Sequence, residues 1–219
     1  GNGRKTGLLL GTHALHEEGL EIAGTIAAKT GAQLLAETFP ARMARGEGRV
    51  EVQLVPYFLE MAQFFFAEYE QIILVGALPP VSTFAYQGSP THKAPPSCEV
   101  STLASPDVDV VAALTDLAAA LGASNETSAR CQRVEPEQPE GVLTAAAVGQ
   151  SVNLLMPEDA VLVDESATAG IDLFQQTAAA RRHEYLYAVP GAAIGNGLPV
   201  ALGAAIAAPD RKVVALQAD

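Results

Sequence analysis

Apolar positions along the chain follow two alternating rhythms. Short continuous apolar runs at Thr6–Gly11 (TGLLLG), Gln33–Glu37 (QLLAE), Gln71–Gly76 (QIILVG) and Val100–Leu103 read as buried strands. Between them lie stretches with helical spacing. In His13–Thr30, the residues Leu15, Leu20, Ile22, Ala23, Ile26 and Ala27 fall on one face, with Thr12 as the N-cap candidate and Gly31 as the stop. Pro56–Tyr69 is predicted as a helix with Phe58, Met61, Phe65 and Phe66 in the core, and Asp107–Leu121 as an amphipathic helix. Phe39–Val55 reads as a polar loop, and Leu78–Ser97, rich in Pro and Ser, as irregular. Strand and helix in alternation predict parallel βαβ units.

The rhythm stops at Gly122–Gly141, a polar stretch with the composition of a linker, and then resumes. Val142–Met156 and Thr168–Ala180 are predicted helices, and Ala160–Asp164 and Glu184–Ala188 predicted strands. Pro190–Gly195 is a loop of small residues, Asn196–Ala207 an apolar run expected as a buried helix, and Lys212–Gln217 a strand reaching Asp219. The expected fold class is α/β, with two doubly wound parallel-sheet domains, the second truncated: residues 4–121, a linker at 122–141, and residues 142–219. The second domain has three predicted strands against four in the first. It is expected to be the weaker, with Lys212–Gln217 an exposed edge. Because the chain stops at a strand-end carboxylate, it reads as a piece of a longer protein.

Composition narrows the function classes. The 219 residues are 49% hydrophobic with 19 Gly and 14 Pro, which describes a folded α/β protein. A net charge of −12, with Arg181-Arg182-His183 as a short basic cluster, argues against nucleic acid as a partner. No apolar run is long enough to span a bilayer, so no membrane partner is expected. Cys98 and Cys131 have neither metal-site nor disulfide-framework spacing, and a reducing cytoplasm is the expected location. Arg42, Arg45 and Arg49 are candidates to clamp a nucleotide, but no glycine-rich phosphate loop accompanies them.

Candidate chemistry collects at strand ends. Gly195-Asn196-Gly197 follows a strand and precedes a helix, and Asp219 ends the next strand, which suggests a dinucleotide fingerprint. Against it, Val200 stands where the third glycine belongs, Pro199 sits at the turn into the helix, and the loop is too long. At Asp164–Thr168 a hydroxyl and backbone N–H groups at a helix start form an anion site, or Ser166 or Thr168 simply caps the helix. Ser166–Thr168, Ala192–Gly195 and Asp219 would all lie at carboxyl ends of one parallel sheet. Phosphate donors, a close-approach loop and a metal-seeking carboxylate together suit a diphosphate bridged by a divalent ion.

The run AVPGAAIGNGLPVALGAAIAAPDRKVVALQAD resembles the cofactor-binding domain of thiamine-diphosphate-dependent enzymes, of the acetolactate synthase large subunit and benzoylformate decarboxylase-like kind. The family's G-x-G-L-P helix start, P-x-R turn and Gly-Asp-Gly strand end correspond to Gly195–Pro199, Pro209–Arg211 and Asp219, with Ala218 in place of the first glycine. LVDESATA resembles the segment that reaches the cofactor diphosphate. ETFPARMARGEGR and VGALPPVSTFAY resemble the family's central domain, so the likeness covers nearly the whole chain. The resemblance implies thiamine diphosphate and Mg²⁺ as cofactors, a 2-oxo acid substrate, decarboxylation or carboligation, and a parent that is a homodimer or homotetramer. It implies that Ser166, Ala167 and Thr168 sit near the diphosphate. Ala192 would accept from the aminopyrimidine, beside Ala193, Ile194 would wedge the folded cofactor, and Asp219 would ligate Mg²⁺. It also implies that the activating glutamate and the rest of the metal site lie in other segments, so no catalytic residue is expected here. Some relatives bind FAD against the central domain, where the three arginines are the candidates.

Overall fold

In the computed structural model, residues 3–85, 87–187 and 193–218 are described. The chain forms two compact units: Gly1–Thr38 with Val52–Ala129, and Phe39–Glu51 with Arg130–Asp219.

In the first unit the expected strands appear as β1 (Thr6–Leu10), β2 (Gln33–Ala36), β5 (Gln71–Val75) and β6 (Glu99–Ala104), joined by a two-residue β4 (Gln53–Leu54) inside the expected loop. All pair in parallel, in the order β4-β2-β1-β5-β6. α2 (Leu59–Phe66) covers one face, where Phe66 and Ala62 pack with Leu9, Leu35, Ile72 and Leu74. α1 (Glu17–Thr30) and α3 (Val110–Leu121) pack on each other. Gly31 ends α1 in the left-handed region (φ 77°), as expected of a glycine stop. Thr12 is not its cap. It opens a separate 3₁₀ turn at Thr12–Leu15, and His16 precedes α1. Helix α2 is shorter than predicted, because Phe58 is its extended N-cap and Leu59, Ala62 and Phe66 face the sheet. Phe58 (54% exposed) and Met61 (58%) therefore lie outside the core.

The second unit draws on a segment that the hydropathy pattern placed elsewhere. Met43–Arg45 forms β3, antiparallel to β8 (His183–Tyr187), and all three of its residues are buried. Residues 39–51 thus leave the expected 4–121 domain, because a short antiparallel edge strand satisfies the free side of β8. The second half of the expected linker also docks here: Cys131 N–H donates to Arg49 O (2.8 Å) and Val134 N–H to Ala179 O (3.1 Å). The sheet order is β3-β8-β7-β9, with β7 (Ala160–Glu165) parallel to both β8 and β9 (Val213–Gln217). As expected, β9 is an edge strand. Alternate residues of β7 serve opposite faces. Leu162 packs with Met156, Leu173 and Tyr185 toward α4 (Ala145–Leu155) and α5 (Leu173–Gln176), while Val161 and Val163 meet Val200, Ala201 and Ala204 of α6 (Gly197–Ala207). The expected long helix over 168–180 is a 3₁₀ turn, Ala167–Gly170, followed by the four-residue α5. Nor is α6 buried on all sides. Its Val200–Ala204 face is on the sheet, while Leu198, Leu202 and Ile206 are 63–72% exposed.

Candidate functional site

The loop after β7 leads to α5 on one face of the sheet, and the loop after β8 leads to α6 on the other. Where adjacent parallel strands diverge in this way, a crevice opens at their carboxyl ends. Ser166–Thr168 and Ala193–Gly195 follow the carboxyl ends of these two strands, where such a crevice is expected. Ala192 and Asp219 lie outside the described residues.

A carboxylate, a hydroxyl and a phenol build the β7 side. Asp164 is buried at the end of the strand. Its Oδ1 accepts from the Ser166 N–H (2.9 Å) and the Ser166 hydroxyl, and its Oδ2 accepts from the Tyr185 hydroxyl. Burial first, and then the charge of Asp164, pushes the Tyr185 phenol well above its ordinary range, so it stays a donor. Ser166 is therefore buried and spent on Asp164, whereas Ala167 and Thr168 are exposed. Ala167 takes a left-handed conformation (φ 47°). A side chain at position 170 would meet Ser166 Oγ at 1.6 Å, so Gly170 lets this turn close.

Glu165 joins the β7 end to the β8–α6 loop. Its carboxylate is buried (5% exposed) and accepts from the N–H groups of Gly195 and Gly197. Its carbonyl accepts from Ala218 N–H (2.9 Å), at the end of β9. Burial pushes the Glu165 carboxyl up, but the N–H groups of Gly197, Gly195 and Asn196 and the Gln217 side chain more than offset this and hold it below the usual range. A Cβ at position 197 would come within 2.5 Å of Gln217 Oε1 and 2.6 Å of Glu165 Oε2, so a larger residue there would displace the Glu165 carboxylate. Gly195 is left-handed (φ 86°), and Ile194 stands 92% exposed. The sequence pattern singled out Ser166 and Thr168 for their hydroxyls and passed over Glu165. The adjacent Asp-Glu pair at a strand end was the available signal.

This arrangement speaks to the dinucleotide alternative. A dinucleotide's pyrophosphate rests on the free N–H groups at the start of the glycine-rich helix. Here a carboxylate of the chain itself takes the N–H groups at that start.

The three arginines do not form a nucleotide clamp on the first unit. Arg45 is buried in the second, where it donates to Thr177 Oγ1 (3.2 Å) and Phe174 O (2.7 Å) and lies 3.5 Å over the Phe174 ring. Burial lowers its pKa to about 10, against the opposing pull of Tyr185, Cys131, Glu51 and Asp164. Arg42 pairs with Glu184 (2.8 Å), and Arg49 is buried in the same unit.

No family model matches the chain. A protein named as an acetolactate synthase large subunit, IlvX of Mycobacterium tuberculosis, is 41% identical over 226 aligned residues. The match takes in all of this chain and 42% of that protein. The chain resembles the thiamine-diphosphate-dependent enzymes. A thiamine diphosphate-dependent 4-hydroxybenzoylformate decarboxylase of Rhodococcus jostii matches 95% of the chain at a TM-score of 0.70 and 21% identity. A protein of Mycobacterium smegmatis described as thiamin diphosphate-dependent matches 95% (TM-score 0.65, 22% identity), and benzoylformate decarboxylase of Polynucleobacter necessarius matches 96% (0.65, 16%). These likenesses show the fold. The chain spans 42–44% of these proteins.

The residues present fit a thiamine diphosphate end. The loop beside the crevice carries an uncovered apolar side chain, Ile194, on small neighbours, and the turn opposite offers the exposed Thr168. Among the described residues no group of three or more His, Cys, Asp or Glu could hold a metal ion. No described helix is long and apolar enough to cross a membrane.

Proposed function

We propose that this chain is the central portion, and part of the diphosphate-binding portion, of a thiamine-diphosphate- and Mg²⁺-dependent enzyme that decarboxylates or joins 2-oxo acids. The observation that carries this reading is the 41% identity over the full chain to a protein named as an acetolactate synthase large subunit. The closed N-terminus of α6 supports it against a nicotinamide-dependent dehydrogenase. When bound, the cofactor would supply the electron sink for negative charge that develops at the former carbonyl carbon of the 2-oxo acid. The chain's own groups bind and orient. Thr168 and the N–H groups of the Ala167–Gly170 turn would face the diphosphate. Ile194 would support the folded cofactor from below, and Ala192 and Ala193 would line its aminopyrimidine side. Asp219 would hold Mg²⁺, a hard ion that takes carboxylate, phosphate and water oxygens together. The resemblance assigns the activating glutamate to another segment, so residues 1–219 by themselves are expected to show no turnover of pyruvate or benzoylformate.

The test uses the longer parent protein. Asp219→Ala and chelation should each weaken thiamine diphosphate binding, and the two losses should not add, because both remove one metal bridge. Calorimetric titration reads this. Thiamine diphosphate affinity that ignores chelator, or tight NAD binding, contradicts the reading.

A further inference from the structure

We propose that Glu165 is the positioning residue of this site: its carboxylate sets the Ala193–Gly195 loop against the Ser166–Thr168 turn, so that the two sides of the cofactor cleft are held by one side chain. Only the cofactor half of this inference rests on the function proposed above.

Four observations carry it. Glu165 is the last residue of β7, directly before Ser166, so its backbone fixes where the turn begins. Its two carboxylate oxygens reach different donors, Gly195 N–H and Gly197 N–H, on either side of Asn196. Its surroundings fit it closely, with the Gln217 side chain beside the carboxylate and Gly197 so near that a Cβ there would push the carboxylate aside. Among the described residues the loop is otherwise open: Ile194 is 92% exposed and no atom lies within 4 Å of a Cβ built on Gly195. A loop held by charge-assisted hydrogen bonds from one buried acceptor moves when that acceptor is removed. Ser166 is fixed separately by Asp164, so the turn should keep its shape while the loop is released.

The experiment measures amide hydrogen exchange on the whole chain, unsubstituted and as Glu165→Gln and Glu165→Ala, with thiamine diphosphate and Mg²⁺ titrated by NMR shift changes. In Glu165→Ala, exchange at Gly195 and Gly197 should quicken by about tenfold or more, while Val161–Val163 in β7 keep their protection. Glu165→Gln, with one acceptor oxygen left, should fall between. Thiamine diphosphate should bind about fivefold or more weakly to the Ala variant, in the same order as the loop loosens. Unchanged exchange at Gly195 and Gly197 in both variants overturns the proposal. So does a loosened loop with undiminished thiamine diphosphate affinity. If the unsubstituted longer parent, titrated in the same way, fails to bind thiamine diphosphate while both glycines still loosen on substitution, the proposed function fails and the loop-holding role of Glu165 stands. Should the Ala variant lose protection in β7 as well, Glu165→Gln alone decides.

Discussion

Asp164 is a carboxylate in a buried position whose cost is met by three donors, two from Ser166 and one from Tyr185. Removing one donor leaves a desolvated oxygen without a partner, which costs more than the hydrogen bond itself contributed. Tyr185→Phe keeps the ring stacked edge-on against Phe174 (5.4 Å between centroids) and removes only the hydroxyl. We expect it to destabilise the second unit by about 1–3 kcal/mol, read as a lower urea midpoint with an unchanged slope. An unchanged midpoint would mean that water replaces the hydroxyl. None of this network was legible in the sequence. Tyr185 sits in an ordinary β-strand run, and its link to Asp164 exists only because β7 and β8 are parallel neighbours with Leu162 opposite Tyr185.

Among the elements, strands were the most legible. Each predicted run became a strand; for β1, β5 and β7, continuous Leu, Ile and Val in the middle of a parallel sheet leave little alternative. Two kinds of information were missing. Helix α6 has no polar face in sequence, so its pattern cannot say which side meets the sheet. And β3 has three residues in a polar stretch, recruited by long-range pairing that local hydropathy does not encode. The site shows the same division. The crevice at the ends of β7 and β8 followed from strand order, but the residue that ties the two ends together, Glu165, did not. Segment 39–51 gives the element-scale prediction. A piece starting at residue 142 lacks β3 and the Arg45 that covers Phe174 and Tyr185. It should be less stable than a piece in which 39–51 is joined to 130–219. Arg45→Ala in the whole chain should reproduce part of that loss, about 2–4 kcal/mol, with Arg45→Met costing less because apolar packing can replace a buried cation. Equal melting temperatures for the two pieces would contradict the assignment of β3 to the second unit's stability.

At the scale of the molecule, the second unit carries a buried histidine and the first a half-buried carboxyl whose pKa values move in opposite directions. In the second, His183 is buried with Nδ1–H donating to Arg181 O (2.8 Å). Burial, aided by the Arg45 charge, pulls its pKa from 6.5 to about 3. The folded form therefore stays neutral while the unfolded chain takes up a proton, and stability is lost as pH falls from about 6.5 to about 3, by up to roughly 5 kcal/mol. In the first unit, burial pushes Glu37 from 4.5 up to about 7, against the Thr12 N–H that lowers it. Its contribution is greatest below about 4.5 and is lost as pH rises through about 7. Acidification from 7 to 5 should thus weaken the second unit relative to the first, visible as diverging amide exchange rates in β7 and β5. His183→Gln should flatten the second unit's dependence. Parallel changes in both units would count against the two assignments.

The central claim is that the ends of β7, β8 and β9 form the diphosphate side of a thiamine diphosphate site. The most direct measurement is an amide NMR map of the chain titrated with thiamine diphosphate and Mg²⁺, and separately with NAD. The account predicts weak binding of thiamine diphosphate that shifts residues 164–170 and 193–197, is lost with chelator, and leaves the first unit untouched. Shifts from NAD centred on residues 195–200 and indifferent to chelator, or thiamine diphosphate shifts confined to the first unit, would contradict it.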